Sequence, residues 1–172
     1  VGVKYLFITG LILISLSCRK PDEGQYKMEY IMDFTIPAGA NPLKTHVFER
    51  TVIQGWDQFL KAHQLHDSMI ARVQVYSITV SPLLSNPISY GFVEEMRAFI
   101  RDPSIPSTQQ IGIGNPLPNE RVGEFALLPG IAEVSSFLRA TQFDLQLQLR
   151  FRGIPSSFSD HRATFRFDVF LK

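Results

Sequence analysis

Phe143-Asp-Leu-Gln-Leu-Gln-Leu-Arg-Phe151 and, one turn later, Arg162-Ala-Thr-Phe-Arg-Phe-Asp-Val-Phe-Leu171 carry the clearest periodicity of the chain. In the first, Phe143, Leu145, Leu147, Leu149 and Phe151 alternate with Asp144, Gln146, Gln148 and Arg150. In the second, Ala163, Phe165, Phe167, Val169 and Leu171 alternate with Arg162, Thr164, Arg166 and Asp168. Successive side chains of a strand point to opposite faces, so this period marks two strands buried on one side and wet on the other. The two are either paired or set face to face across a core. Their apolar burial roughly offsets the entropy of ordering them, so a second layer has to cover them.

The same period recurs toward the N-terminus. Met28, Tyr30, Met32, Phe34 and Ile36 share one face, with only Ile31 out of pattern, and Pro37-Ala-Gly-Ala-Asn-Pro42 closes the strand as a turn. Further strands are expected over 45–53, 70–80, 92–101, 110–114 and 124–128, bounded by proline-rich turns at 81–87, 102–106 and 115–118. In two places the period becomes helical. Trp56, Phe59, Leu60 and His63 predict a helix over 54–63, and Ile131, Val134, Phe137 and Leu138 predict a second over 131–140. Short strands separated by Pro and Gly turns define an all-β chain, an antiparallel β-sandwich of about seven or eight strands with two short connecting helices.

The N-terminus follows a different logic. Lys4 precedes an apolar segment over 5–16, Ser17 follows it, and the single cysteine of the chain, Cys18, comes next. A charged start, a short apolar stretch and a small residue before the cut make a secretory signal peptide, too short to span a bilayer comfortably. Leu13-Ile-Ser-Leu-Ser-Cys18 resembles the lipobox of bacterial lipoproteins, in which the cysteine is acylated and becomes the mature N-terminus. That resemblance implies a signal peptide over 1–17, a lipidated N-terminus and tether over 18–26, and a β-sandwich domain over 27–172. It also accounts for a secreted chain with one thiol and no disulfide partner. Two or three acyl chains, at about 0.8 kcal/mol per buried methylene, hold such a protein on its membrane. Arg19 stands where Asp would resemble an inner-membrane retention signal, and Lys20-Pro-Asp-Glu23 resembles the acidic export signal of Bacteroidota surface lipoproteins. Both imply an outer-membrane location, periplasmic or surface-exposed.

The formal net charge of +1 falls to 0 when residues 1–17, with Lys4 and no acid, are removed. A balanced charge argues against a nucleic-acid partner. Catalytic patterns are weak. His63 and His66 stand three apart on one helix face, with Asp57 and Asp67 nearby. That spacing suits a metal, which nevertheless needs three or four convergent groups; His46 or His161 could complete the set only through the tertiary fold. Ser159-Asp160-His161 holds the three triad residue types, but consecutive residues are not expected to converge, and no Gly-x-Ser-x-Gly elbow occurs. Glu94 and Glu95 are expected on opposite faces of a strand, and Gly112-Ile-Gly114 lacks the third glycine of a dinucleotide fingerprint.

What remains is ligand surface. Arg150, Arg152, Arg162 and Arg166, interleaved with Gln146, Gln148 and Thr164, form a cationic stripe for acidic polysaccharide or lipid phosphate if the last two strands are neighbours; otherwise they dress an ordinary solvated sheet face. Phe92, Phe99, Phe158 and Phe170 are candidates for stacking on a sugar ring. The function expected is a non-enzymatic binding or structural module for a glycan or protein partner at the cell envelope, without a cofactor. The alternative is an envelope hydrolase or metal-binding protein built on the His63/His66 region.

Phe34-Thr-Ile-Pro-Ala-Gly39, Thr45-His-Val-Phe-Glu49, Arg101-Asp-Pro-Ser104 and Phe137-Leu-Arg-Ala-Thr-Gln-Phe-Asp-Leu145, in that order, resemble a group of Bacteroidota outer-membrane lipoproteins with a small β-sandwich and no assigned activity. The resemblance covers about residues 27–172 and implies fold and location only.

Overall fold

Alternating sequence becomes paired strand almost throughout. The computed structural model describes residues 24–84, 88–104, 107–115, 117 and 120–172; Cys18 and the rest of 1–23 lie outside them. The chain order is β1 (Tyr26–Ile36), β2 (Thr45–Ile53), α1 (Gly55–His63), a 3₁₀ turn (Asp67–Met69), β3 (Ile70–Pro82), β4 (Ile88–Ser89), β5 (Val93–Asp102), β6 (Ser107–Gly114), β7 (Arg121–Val122), β8 (Phe125–Pro129), α2 (Ser135–Leu138), β9 (Gln142–Phe151) and β10 (Ser159–Leu171).

The long strands form two antiparallel layers, β1-β10-β3-β8 and β2-β9-β5-β6. β8 joins them, because its first residues pair with β3 through Leu127 and its last pair with β6 through Leu128 and Pro129. Among the long strands, only β5 and β6 are sequential neighbours within one sheet; the other connections cross between layers, which is the double Greek-key jelly-roll arrangement. The expected antiparallel sandwich of eight principal strands with two short helices is what forms. β9 and β10 lie in opposite sheets, so their inward side chains meet across the core. Phe143, Leu145, Leu147 and Leu149 from one side, and Ala163, Phe165, Phe167 and Val169 from the other, are fully buried. Among the described residues these buried apolar side chains belong to one continuous cluster.

At Gly112 the facing sheet comes close. A Cβ on Gly112 would stand 2.7 Å from the Ile78 side chain in the facing sheet, so Gly112-Ile-Gly114 serves packing. α1 is held by Trp56 and Phe59, both buried, and reverses at Gln54 and Gln64, whose φ of 53° and 54° lie in the left-handed region. The second helix is shorter than the expected 131–140. Glu133 forms an isolated bridge with Gln74 and the Val134 N–H donates to the Val73 carbonyl, so β3 takes the backbone groups that a longer helix would use. Ile131, expected on the buried stripe, is instead exposed.

Strand directions give the molecule two distinct ends. At the end where the chain enters β1 sit α1, the 3₁₀ turn, the β5–β6 hairpin, α2 and the C-terminus. At the other end the β1–β2, β3–β5, β6–β8 and β9–β10 connections gather. They are tied to one another: the Gly39 N–H donates to the Pro155 carbonyl at 2.9 Å, the Arg152 N–H to the Phe92 carbonyl at 2.9 Å, and β4 pairs with β7.

Candidate functional site

Each arginine of the expected stripe has a defined place. Arg150 and Arg152 are on β9 and its following turn, while Arg162 and Arg166 are on β10 in the opposite sheet, so the last two strands are not neighbours and a single stripe does not form. Three of the four are also paired across strands. Arg150 holds Glu94 with two bonds of 3.0 Å, Arg162 holds Asp33 at 2.8 and 3.0 Å, and Arg166 holds Glu29 at 2.7 Å. Arg152 donates to the Val93 carbonyl. The hydrogen bond from Arg162, with its charge, draws the Asp33 carboxyl below the ordinary carboxylate value. A register slip between Val93 and Glu95 puts both Glu94 and Glu95 beside the arginine-bearing face, Glu95 bonding Arg97 at 2.9 Å; the expectation that they point oppositely fails at this bulge.

The histidine region is built for packing. The His63 ring lies 5.0 Å from Tyr26 and 4.8 Å from Phe59, and His66 is exposed. Asp67 accepts a 2.9 Å hydrogen bond from the Trp56 indole and pairs with Arg139 at 2.9 Å, so the neighbouring acid is spent on pinning α1. Among the described residues no group of three His, Cys, Asp or Glu converges as metal ligands. His46 turns elsewhere, bonding the Asn41 carbonyl and stacking near Phe151.

Two depressions stand out. One, of about 500 Å³, follows the open seam between the edge strands β1 and β2 beside α1, lined by Lys27, Glu29, Tyr30, Arg50 and His63, at the end where the chain enters. The other, of about 390 Å³, lies among the gathered connections and is lined by Ile88, Ser89, Phe92, Arg121, the Pro155-Ser-Ser segment and Ser159. Around it the connections expose Leu43, Leu83, Leu84, Ile154 and Phe158. Of the candidate stacking rings, Phe92 faces this groove and packs against Phe151 at 5.9 Å, and Phe158 stands exposed in the same group of loops. Phe99 lies along β5 half-buried, and Phe170 is buried beneath the Arg72 guanidinium, which excludes it as a stacking surface.

Beneath this loop-end groove runs a hydrogen-bonded chain through two members of Ser159-Asp160-His161. Ser159 and His161, two apart on β10, share a face, and Ser159 Oγ lies 2.8 Å from His161 Nε2. His161 Nδ1 lies 3.0 Å from the Tyr90 hydroxyl. Asp160, between them, points the other way and accepts from Thr35 across the sheet. His161 is fully buried and stacked on Phe34 at 5.2 Å, and burial pushes its pKa down to about 4. The ring is therefore neutral at pH 7 and carries one proton.

Hydrogen-bond accounting places that proton. Burial raises the Tyr90 phenol above its ordinary value, so it stays a neutral donor, and among the described residues its bond is to His161 Nδ1. If Nδ1 carried the hydrogen, the phenol proton would be left buried without an acceptor, at a cost of about 1–3 kcal/mol. Tyr90 therefore donates to Nδ1, Nε2–H donates to Ser159 Oγ, and the Ser159 hydrogen is free to turn into the groove. In this arrangement Tyr90, His161 and Ser159 form one hydrogen-bonded chain that ends at the groove.

No family model matches the sequence, and no curated protein matches it. Among solved structures the chain is similar to a chain of Desmodium yellow mottle tymovirus, with 12% identity and a TM-score of 0.28 over 91% of this chain and 95% of that one. A chain of Turnip yellow mosaic virus gives 12% and 0.29 over 88% and 96%, and one of Mud crab tombus-like virus gives 9% and 0.22 over 95% and 98%. At these scores the likeness carries no argument, and the fold rests on the strand order itself.

Proposed function

We propose that this chain is a membrane-anchored lipoprotein domain, held at the outer membrane through Cys18, that acts without catalysis as a binding module for a glycan or protein partner of the envelope. The observation that carries the reading is the polarity of the molecule. Its described part begins at Gly24, six residues from Cys18, a tether with an extended reach of about 20 Å. The groove lies at the opposite end, farthest from that tether, with five of the eleven exposed large apolar side chains of the described residues in the connections around it. A cross-linked set of loops offers a preformed surface, which lowers the ordering cost of binding. Phe92 with several serines suits a carbohydrate, whose rings stack on aromatics and whose hydroxyls bond short polar side chains.

Two experiments test the two halves. Replacing Cys18 with Ser should abolish incorporation of an alkyne fatty acid and release the protein from the membrane fraction; unchanged retention would overturn the anchor. The domain from Gly24 onward, applied to a panel of glycans and envelope extracts, should retain a ligand that Phe92→Ala releases. A panel with no retained ligand would overturn the binding reading.

A further inference from the structure

We infer that the loop-end groove takes a carboxylate-bearing sugar, with the Arg121 guanidinium and the Ser159 hydroxyl as the donors on its acid group; this rests on the glycan reading of the same groove. Three features of the site point to an anionic ligand. Both donors line one groove. Arg121 is exposed and, among the described residues, forms no ion pair, whereas Arg150, Arg162 and Arg166 on the sheet faces are each held by a carboxylate. With the ring proton on Nε2, Ser159 Oγ accepts from His161 and His161 accepts from Tyr90, so the Ser159 hydrogen is not spent on His161 and is left for a ligand in the groove. A hydroxyl that already accepts is polarised as a donor, and the chain Tyr90, His161, Ser159 reinforces itself in that direction. A donor of this kind beside a guanidinium matches an oxygen that only accepts, which a carboxylate offers and a neutral hydroxymethyl group does not. Phe92 supplies an apolar ring for the sugar face.

The test sets galacturonate, glucuronate and mannuronate oligosaccharides each beside its carboxyl-reduced counterpart, with binding to the domain from Gly24 onward measured by titration calorimetry. At least one acid form is expected to bind tenfold or more tighter than its reduced form. Arg121→Gln should remove that preference, and Ser159→Ala should weaken the acid form about fivefold more than the reduced form, beside the loss of stability expected from leaving the buried His161 Nε2–H without its acceptor. A second readout is independent of ligand: ring ¹⁵N shifts of His161 should show the proton on Nε2. Equal binding of acid and reduced forms, or a proton on Nδ1, overturns this inference while leaving the glycan reading standing. No binding by any sugar, acid or neutral, overturns both.

Discussion

Three arginines on the outer faces of the two sheets and the one in the loop-end groove are placed in opposite ways. On the sheets the cations meet carboxylates across strands, Arg162 with Asp33, Arg166 with Glu29 and Arg150 with Glu94, so charges that look like a ligand stripe in the sequence are neutralised in the fold. In the groove, Arg121 has no such partner among the described residues and shares its space with Ser159 and Phe92. Density of cations along the chain is thus a poor guide to a binding face. What matters is which cations the strand register leaves unpaired.

The largest effect separates the layers that hold the fold from the loops that do not. Leu147→Asp places a charge in a fully buried position at a cost of several kcal/mol and should leave the domain unfolded by circular dichroism. Phe158→Asp, at a position 70% exposed, should move stability by less than about 0.5 kcal/mol. Similar melting temperatures for the two would break the distinction.

A smaller effect comes from His161, under the groove. Its folded pKa of about 4 lies below the ordinary 6.5, so between those values the unfolded chain takes up the proton first. The stability it contributes is complete above pH 6.5 and is lost as the pH falls toward 4, by about 1–3 kcal/mol. Thermal melts across that window should show the decline in the wild type and a flatter profile in His161→Gln. An equally steep profile in the variant would place the titration elsewhere.

Smaller still are the sheet-face pairs. Arg162→Gln or Arg166→Gln should cost under about 1 kcal/mol each, less at high salt, because both partners are exposed. A loss of several kcal/mol in urea melts would mean that these pairs organise the sheet.

The buried parity of β9 and β10 was legible because each strand repeats it over nine or ten residues. Burial of Asp144 and Gln146 on the supposed wet face was not: Arg101 reaches Asp144 from β5, and Glu49 reaches Gln146 from β2, partners that no local pattern announces. The same holds for the arginines, whose carboxylates on β1 and β5 were visible but whose register was not. The groove is the least legible feature, since Phe92, Arg121 and Ser159 come from three separate connections. One signal was available. The alternation rule that fixed the core also puts Ser159 and His161 on one face, and that face is where the relay lies.

Glycan retention of three proteins run side by side distinguishes a ligand held at the loop end from one held on the arginine-bearing sheet faces. The wild-type domain and the Arg150→Gln, Arg166→Gln double variant should be retained alike, while Phe92→Ala should be retained at least tenfold less, all three melting within a few degrees of one another. Loss of retention in the arginine double variant with Phe92→Ala unaffected would contradict the loop-end assignment.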